Sequence, residues 1–312
     1  MILFLVLVIC IVAFLFANFF YKKSTYYKSI NKNLFKFNCI DRDIEVVNIG
    51  SFPSIYCFDW ESQEDVNGYN LGVGPEEIYY DNRMLQFYVN KNKPNKLIVI
   101  HLITPLLFCE NKYTKKLPYN IRYSVVLPNV DVKVPFILYY IEKHFPLIRK
   151  MISAIANRVK RIVASEQSKD VSGISSKTQA DLMIKGWLEQ NPRLNNFKDI
   201  SQYEENKEFV EYQLGQLREL VDFCKSKSIS YVAVLGPVSE YIRSFFSDEF
   251  INAFVRDNLQ KAGVNRDNIL DYYDCEKYSS MNNYTNGLFL TEDARRIFTK
   301  DIVNELKIRR FL

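Results

Sequence analysis

The chain has 312 residues, of which 48% are hydrophobic and 25% charged. That balance excludes wholesale disorder and provides for one sizeable domain once an N-terminal segment is set aside. Its net charge of +5 comes from Lys and Arg spread along the chain rather than gathered into a dense stripe, so nucleic acid is not the expected partner.

The first predicted element is a membrane span. Residues 1–21 carry no charged side chain and are dominated by Leu, Ile, Val and Phe, a run long enough to cross about 30 Å of hydrocarbon as a helix. It reads as an uncleaved anchor rather than a signal peptide, because no basic region precedes it and no small-x-small pattern surrounds Ala13 and Ala17. A basic juxtamembrane linker over residues 22–43 follows. Its Lys22, Lys23, Lys28, Lys32 and Lys36 stand after the helix, which by the positive-inside rule points to a cytoplasmic domain.

From residue 44 to 312 short apolar runs alternate with helical patterns. Ile44 to Ile49, Leu97 to Ile103, Tyr231 to Leu235 and Ile269 to Tyr273 read as buried strands. Phe209, Val210, Leu214, Leu217, Leu220, Val221 and Cys224 recur at helical spacing, and Lys225 and Lys227 close that helix where its dipole favours cations. Gly236 and Pro237 end the next strand, and Ser239 is the expected N-cap beyond it. The last helix starts near Thr291, with Glu292 and Asp293 in its first turn and Ile297, Phe298, Ile302, Val303 and Leu306 on its apolar face. The alternation predicts an α/β fold with a mainly parallel sheet, since parallel strands need long crossovers.

An insertion at about 119–199 breaks this rhythm. Residues 134–163 are apolar and basic, with Pro135 and Pro146 as breakers and Arg149, Lys150, Arg158, Lys160 and Arg161 among Ile, Leu, Val and Met. Two readings stay open: a surface helix resting on anionic lipid beside the anchor, or an amphipathic helix packed on the domain. Ser165 to Gln179 is polar and reads as a loop. The six cysteines (Cys10, Cys39, Cys57, Cys109, Cys224, Cys275) form no CxxC pair and no histidine stands at metal spacing, so no zinc site, disulfide framework or cofactor is expected.

The segment Val47-Asn48-Ile49-Gly50-Ser51-Phe52-Pro53-Ser54, with Tyr56 and Phe58-Asp59-Trp60 beyond it, resembles the first block of SGNH/GDSL hydrolase-like proteins found with bacterial surface-polysaccharide genes. Asn70-Leu71-Gly72-Val73-Gly74-Pro75 is similar to the second block, and Val232 to Val238 with Tyr241 adds support. The resemblance implies a three-layer α/β/α fold and an acyl-ester chemistry. Its nucleophilic serine would stand at the end of the first strand, and a backbone N–H from Gly72 or Gly74 would serve the oxyanion hole. It also implies an extracytoplasmic domain, against the lysines.

The departures carry more weight than the matches. The nucleophile position holds Phe52, and the third block, residues 99–105, ends its strand at Thr104 where the family supplies an Asn donor. The last block would give an Asp and a His before Leu290-Thr291, and these positions hold Asn286 and Phe289. Only His101 and His144 exist in the chain, and neither lies near that block. Ser51 and Ser54 read as turn or N-cap residues beside Pro53. The expected function is therefore a catalytically impaired pseudoenzyme with a binding or assembly role in cell-surface polysaccharide metabolism. The alternative is an active esterase using Ser51 as a displaced nucleophile, with Asp59 or Asp81 as base. Expected partners are the lipid membrane and a surface polysaccharide or its assembly machinery.

Overall fold

The computed structural model describes residues 1–38, 43–75, 77–111, 116–163 and 176–312. The chain forms two compact units, one made of residues 1–38 with 116–172 and the other of residues 39–115 with 173–312.

The larger unit is built on five parallel strands: β1 (Val46–Ile49), β2 (Gly68–Asn70), β3 (Ile98–Ile103), β4 (Ser230–Leu235) and β5 (Ile269–Asp271), in the order β2-β1-β3-β4-β5. Val46 stands opposite both Gly68 and Ile98, and Ile100 opposite Val232, so every pairing runs parallel. The crossovers that parallel pairing demands contain helices Ile78–Asn92, before β3, and Gln202–Ser226, before β4. The sheet is thus flanked by helices. Because β1 has β2 on one side and β3 on the other, the strand order reverses at the β1/β3 pair. In open α/β sheets the crevice outside the carboxyl ends at such a switch point is where ligands bind.

Four of the five strands fall where the apolar runs predict them, with ends displaced by up to two residues. β2 does not: Gly-Tyr-Asn is three residues long, has no β-branched member and only half-buries its side chains, so it carries no periodic signal. Thr291 and Ser239 cap their helices as expected, accepting from Ala294 N and Ile242 N. Residues 165–175 of the expected polar loop lie outside the described residues, and 176–179 open helix Ser176–Gln190.

Side-chain alternation splits the sheet's two faces. Val46, Ile98, Ile100, Leu102, Val232, Val234 and Leu270 share a core with Phe298, Ile302, Val303 and Leu306 of helix Glu292–Ile308 and with Cys57, Phe58 and Trp60. The alternate residues, among them His101 and Tyr231, point to the opposite face. Phe298 is fully buried at the centre of the first core, its ring 5.2 Å from Tyr272, 5.4 Å from Tyr278 and 5.7 Å from Phe58.

In the smaller unit, helix Ile2–Lys23 has 22 residues and is apolar and long enough to cross a membrane. Helices Thr25–Ile30 and Lys32–Phe35 follow it, so the basic stretch expected to be a linker is helical for most of its described length. The 116–163 segment contains helices Phe136–His144 and Pro146–Val163. The two prolines sit at their starts, where a missing N–H costs nothing.

Phe298→Ala should cost about 3–5 kcal/mol because it empties a dry, fully packed site. Ile308→Ala, on an exposed side chain of the same helix, should stay within about 0.5 kcal/mol of wild type. Denaturant unfolding of the two variants side by side measures the contrast.

Candidate functional site

The site begins where β1 ends. Gly50 has φ +118°, and a Cβ there would lie 2.9 Å from the Leu102 carbonyl oxygen, so both conformation and space require glycine. The chain then enters helix Phe52–Cys57, with Ser51 at the N-cap position, Pro53 in the first turn, and the Ser51 carbonyl accepting from Ser54 N at 2.9 Å.

Ser54 is fully buried and its hydroxyl is engaged twice: it donates to the Ile49 carbonyl at 2.7 Å and accepts from Asn48 Nδ2 at 2.8 Å. Asn48, also fully buried in β1, organises the whole neighbourhood. Its Nδ2 further meets Asn70 Oδ1 at 3.0 Å, and its Oδ1 accepts from Trp60 Nε1 at 2.7 Å. Asn70 in turn donates to the carbonyls of Ser54 and Ile55. These bonds tie β1, β2 and the 52–57 helix into one polar knot under an apolar rim.

That knot decides what the glycines of the second block can do. Leu71 N donates to the Asn48 carbonyl at 2.8 Å, Gly72 N to Asn70 Oδ1 at 3.0 Å, and Val73 N to the Gly50 carbonyl at 3.0 Å. The Gly72 N–H, an oxyanion donor by resemblance, is thus committed to a side chain. Gly72 is packed against the 52–57 helix, where a Cβ would come within 3.0 Å of Ile55 N. At Gly74 a Cβ would lie 2.4 Å from the Phe52 ring, so that ring lies flush on the glycine backbone. Thr104 follows β3, its carbonyl accepting from Leu107 N at 3.2 Å.

The last block forms a tight loop closed by the bridge between Tyr284 and Leu290. Asn286 Oδ1 accepts from Leu288 N at 3.2 Å and Phe289 N at 2.9 Å, an Asx turn that uses the carboxamide to shape backbone. Gly287, at φ +84°, gives its carbonyl to Ser239 N at 3.0 Å and seats the loop on the start of helix Glu240–Arg243. Phe289 stacks on Tyr56 with centroids 4.8 Å apart. Phe52 and Phe289, standing where the resemblance would put nucleophile and base, therefore join through one short helix: Phe52 opens it, and Tyr56, one turn on, carries Phe289. Phe52 is 41% and Tyr56 40% exposed, which leaves aromatic surface open at the sheet's carboxyl edge.

The histidines lie elsewhere. His101 is fully buried on the other face of β3, Nδ1 2.8 Å from the Tyr231 hydroxyl and Nε2 3.4 Å from Asp81 Oδ2. Burial holds the Tyr231 phenol well above its ordinary range, so it stays protonated and can donate to Nδ1. His144 ends helix Phe136–His144 in the smaller unit, its ring 4.5 Å from Tyr140. Of the two candidate bases, Asp81 thus faces His101 and Asp59 pairs with Arg296 at 3.3 Å. Cys57 is no substitute nucleophile either, because burial pushes its thiol up to about 12.

Sequence reasoning missed the roles of Asn48 and Asn70. The signal for Asn48 was present: a carboxamide inside Val-Val-Asn-Ile, a strand otherwise wholly apolar, must find partners when buried. That its partners would include Trp60 and Ser54 required the fold.

Asn48→Ala would orphan the Trp60 N–H and strip partners from Ser54 and Asn70. At about 1–3 kcal/mol per buried unsatisfied group, thermal or denaturant unfolding should show a loss of about 3 kcal/mol. Gly74→Ala should cost about 1–3 kcal/mol by overpacking against Phe52. In the Phe52→Ala background most of that cost should vanish, a coupling that a double-mutant cycle reads directly. No protein-family model matches the chain, and no curated protein matches it.

Proposed function

We propose that the chain is a membrane-anchored protein of SGNH/GDSL-hydrolase-like, three-layer α/β/α type whose cleft binds instead of hydrolysing, serving cell-surface polysaccharide metabolism in a recognition or assembly role. The observation that carries this reading is the state of the β1 end: Phe52 lies on Gly74 and the Gly72 N–H is bonded to Asn70. Ser54, the hydroxyl sealed into that corner, already donates to a backbone carbonyl. Acyl transfer needs a deprotonatable hydroxyl, a base within hydrogen-bond reach and a free oxyanion donor. His101, held by Tyr231 and Asp81 on the sheet's other face, does not supply that base.

What it offers instead is aromatic surface. The exposed parts of Phe52 and Tyr56 suit the apolar face of a sugar ring, and the sheet's switch point is where a ligand of this architecture would lie. The anchoring part of the reading rests on helix Ile2–Lys23.

Incubated with a fluorophosphonate probe and with acetyl esters, the purified chain should show neither labelling nor turnover; strong labelling at Ser51 or Ser54 would sink the impaired-cleft reading in favour of an esterase. If the aromatic surface binds saccharide, Phe52→Ala and Tyr56→Ala should each weaken oligosaccharide binding about tenfold, equivalent to ~1.4 kcal/mol, in calorimetry. For sidedness, Cys275 is a half-buried thiol whereas Cys57 is buried. The lysines after the span lead one to expect Cys275 to react with a membrane-impermeant maleimide only after cells are opened; peptide mapping that finds it modified in intact cells would put the domain outside, as the resemblance implies.

A further inference from the structure

The smaller unit has a charge balance quite unlike the rest of the chain. Residues 1–38 and 116–163 hold 14 Lys and Arg against two Asp and Glu, whereas the remaining residues hold 27 against 34. A chain with a modest net charge therefore concentrates its excess of positive over negative charge in the unit that contains the membrane-spanning candidate.

Two helices of that unit carry unpartnered apolar faces. In Phe136–His144, Phe136, Ile137 and Tyr140 are exposed while Tyr139 and Glu142 are buried. In Pro146–Val163, Met151, Ile152 and Ile155 are exposed and continue the stripe begun by Leu147 and Ile148. At 3.6 residues per turn Arg149, Lys150 and Ser153 fall on the opposite side. A helix with such a strongly divided surface is stable in water only if something covers its apolar half.

The junction between the two helices is pinned to the apolar helix by its one buried polar residue. Asn18 Nδ2 donates to the His144 carbonyl at 2.8 Å, and Leu147 N donates to Asn18 Oδ1 at 3.3 Å. The carboxamide so satisfies the last carbonyl of one helix and an early N–H of the next across the Pro146 break. Lys22 Nζ adds a bond to the Lys143 carbonyl at 3.2 Å, and the rings of Phe14 and Phe145 meet at 6.2 Å. Lys150 donates to the Tyr26 hydroxyl and lies 4.5 Å over that ring, so the basic side of the helix faces the segment just beyond the span.

These contacts set a depth. Asn18 precedes Lys22 by four residues, about 6 Å along the helix, and Lys22 and Lys23 mark the polar end of the span. The junction at residues 144–147 is therefore held about one helical turn inside the headgroup level, the depth at which amphipathic helices bury their apolar faces, about 5–10 Å below the surface.

We infer that residues 136–158 form a second membrane element, a broken amphipathic helix lying in the leaflet at the Lys22–Lys23 end of the span, with Phe136, Ile137, Tyr140, Met151, Ile152 and Ile155 in the acyl boundary and Arg149 and Lys150 on anionic phospholipid headgroups. The occupant is lipid because the element is held against the span by Asn18 and the Phe14–Phe145 contact and because the unit's cations complement an anionic surface. The inference rests on the reading of Ile2–Lys23 as a span and not on the reading of the aromatic cleft.

The full chain reconstituted into phosphatidylglycerol–phosphatidylcholine vesicles supplies the test, with Trp introduced singly at Ile155, Ser153 and Val8 and wild-type Trp60 and Trp187 as constant background. Quenching by lipid brominated near the headgroup end of the acyl chains should be at least about twofold stronger for Ile155→Trp than for Ser153→Trp. It should also fall in pure phosphatidylcholine and in the Lys150→Gln background. Equal, weak quenching at 155 and 153 with deep-lipid quenching retained at Val8→Trp would overturn the interfacial element and leave the span standing. Loss of quenching at Val8→Trp as well would overturn both. A blue shift of Ile155→Trp that depends on protein concentration and not on lipid would assign the face to a second copy and overturn the lipid assignment. Positions 153 and 155 are exposed, so neither replacement disturbs packing.

Discussion

The candidate site depends on one buried carboxamide. Asn48 sits at a position of β1 where its neighbours are all apolar, and a buried amide without partners would cost several kcal/mol. It finds them in Ser54, Asn70 and Trp60, and in doing so it spends the hydroxyl and steers the backbone on which an acyl-transfer site would draw. A polar network with its members paired is rigid, and rigidity here holds the loop after β2 with its Leu71, Gly72 and Val73 N–H groups bonded inward. The Phe52 ring rests on Gly74, which directly follows these bonded residues.

The strict alternation of side chains along β3 has an equally firm consequence. His101 and Leu102 are neighbours in sequence and lie on opposite faces of the sheet. Leu102 packs with the C-terminal helix on the face that carries Asn48 and Trp60, while His101 meets Asp81 and Tyr231 on the other. A one-residue slip of β3 would expose the imidazole to the wrong core and bury a leucine among polar groups, and six consecutive buried residues specify against it. The imidazole of His101 is therefore separated from the cleft by the sheet itself.

The smaller unit applies the same principle. There Asn18 is the buried amide, and its partners are the freed backbone groups of a proline-broken helix. In both units one asparagine in an apolar element fixes the geometry of a neighbouring chain turn, because its hydrogen bonds are made to that turn.

Much of the larger unit's architecture was legible in the residues. Four apolar β-branched runs and the spacing of Val210 to Cys224 and of Ile297 to Leu306 carry the strand and helix periods directly, and Thr291 and Ser239 carry their caps. The absence of a histidine near Leu290-Thr291 was equally plain, since the sequence has only two, at positions 101 and 144. What tertiary structure decided was everything that depends on which groups meet: that Gly-Tyr-Asn becomes an edge strand because β1 offers it partners, that Ser54 faces inward to a carbonyl, that Asn286 spends its side chain on a turn, and that Phe289 lies on Tyr56. Periodicity reports which way a side chain points relative to its own element, but not what stands opposite. For a buried polar group the identity of that opposite partner is the whole of its energetics.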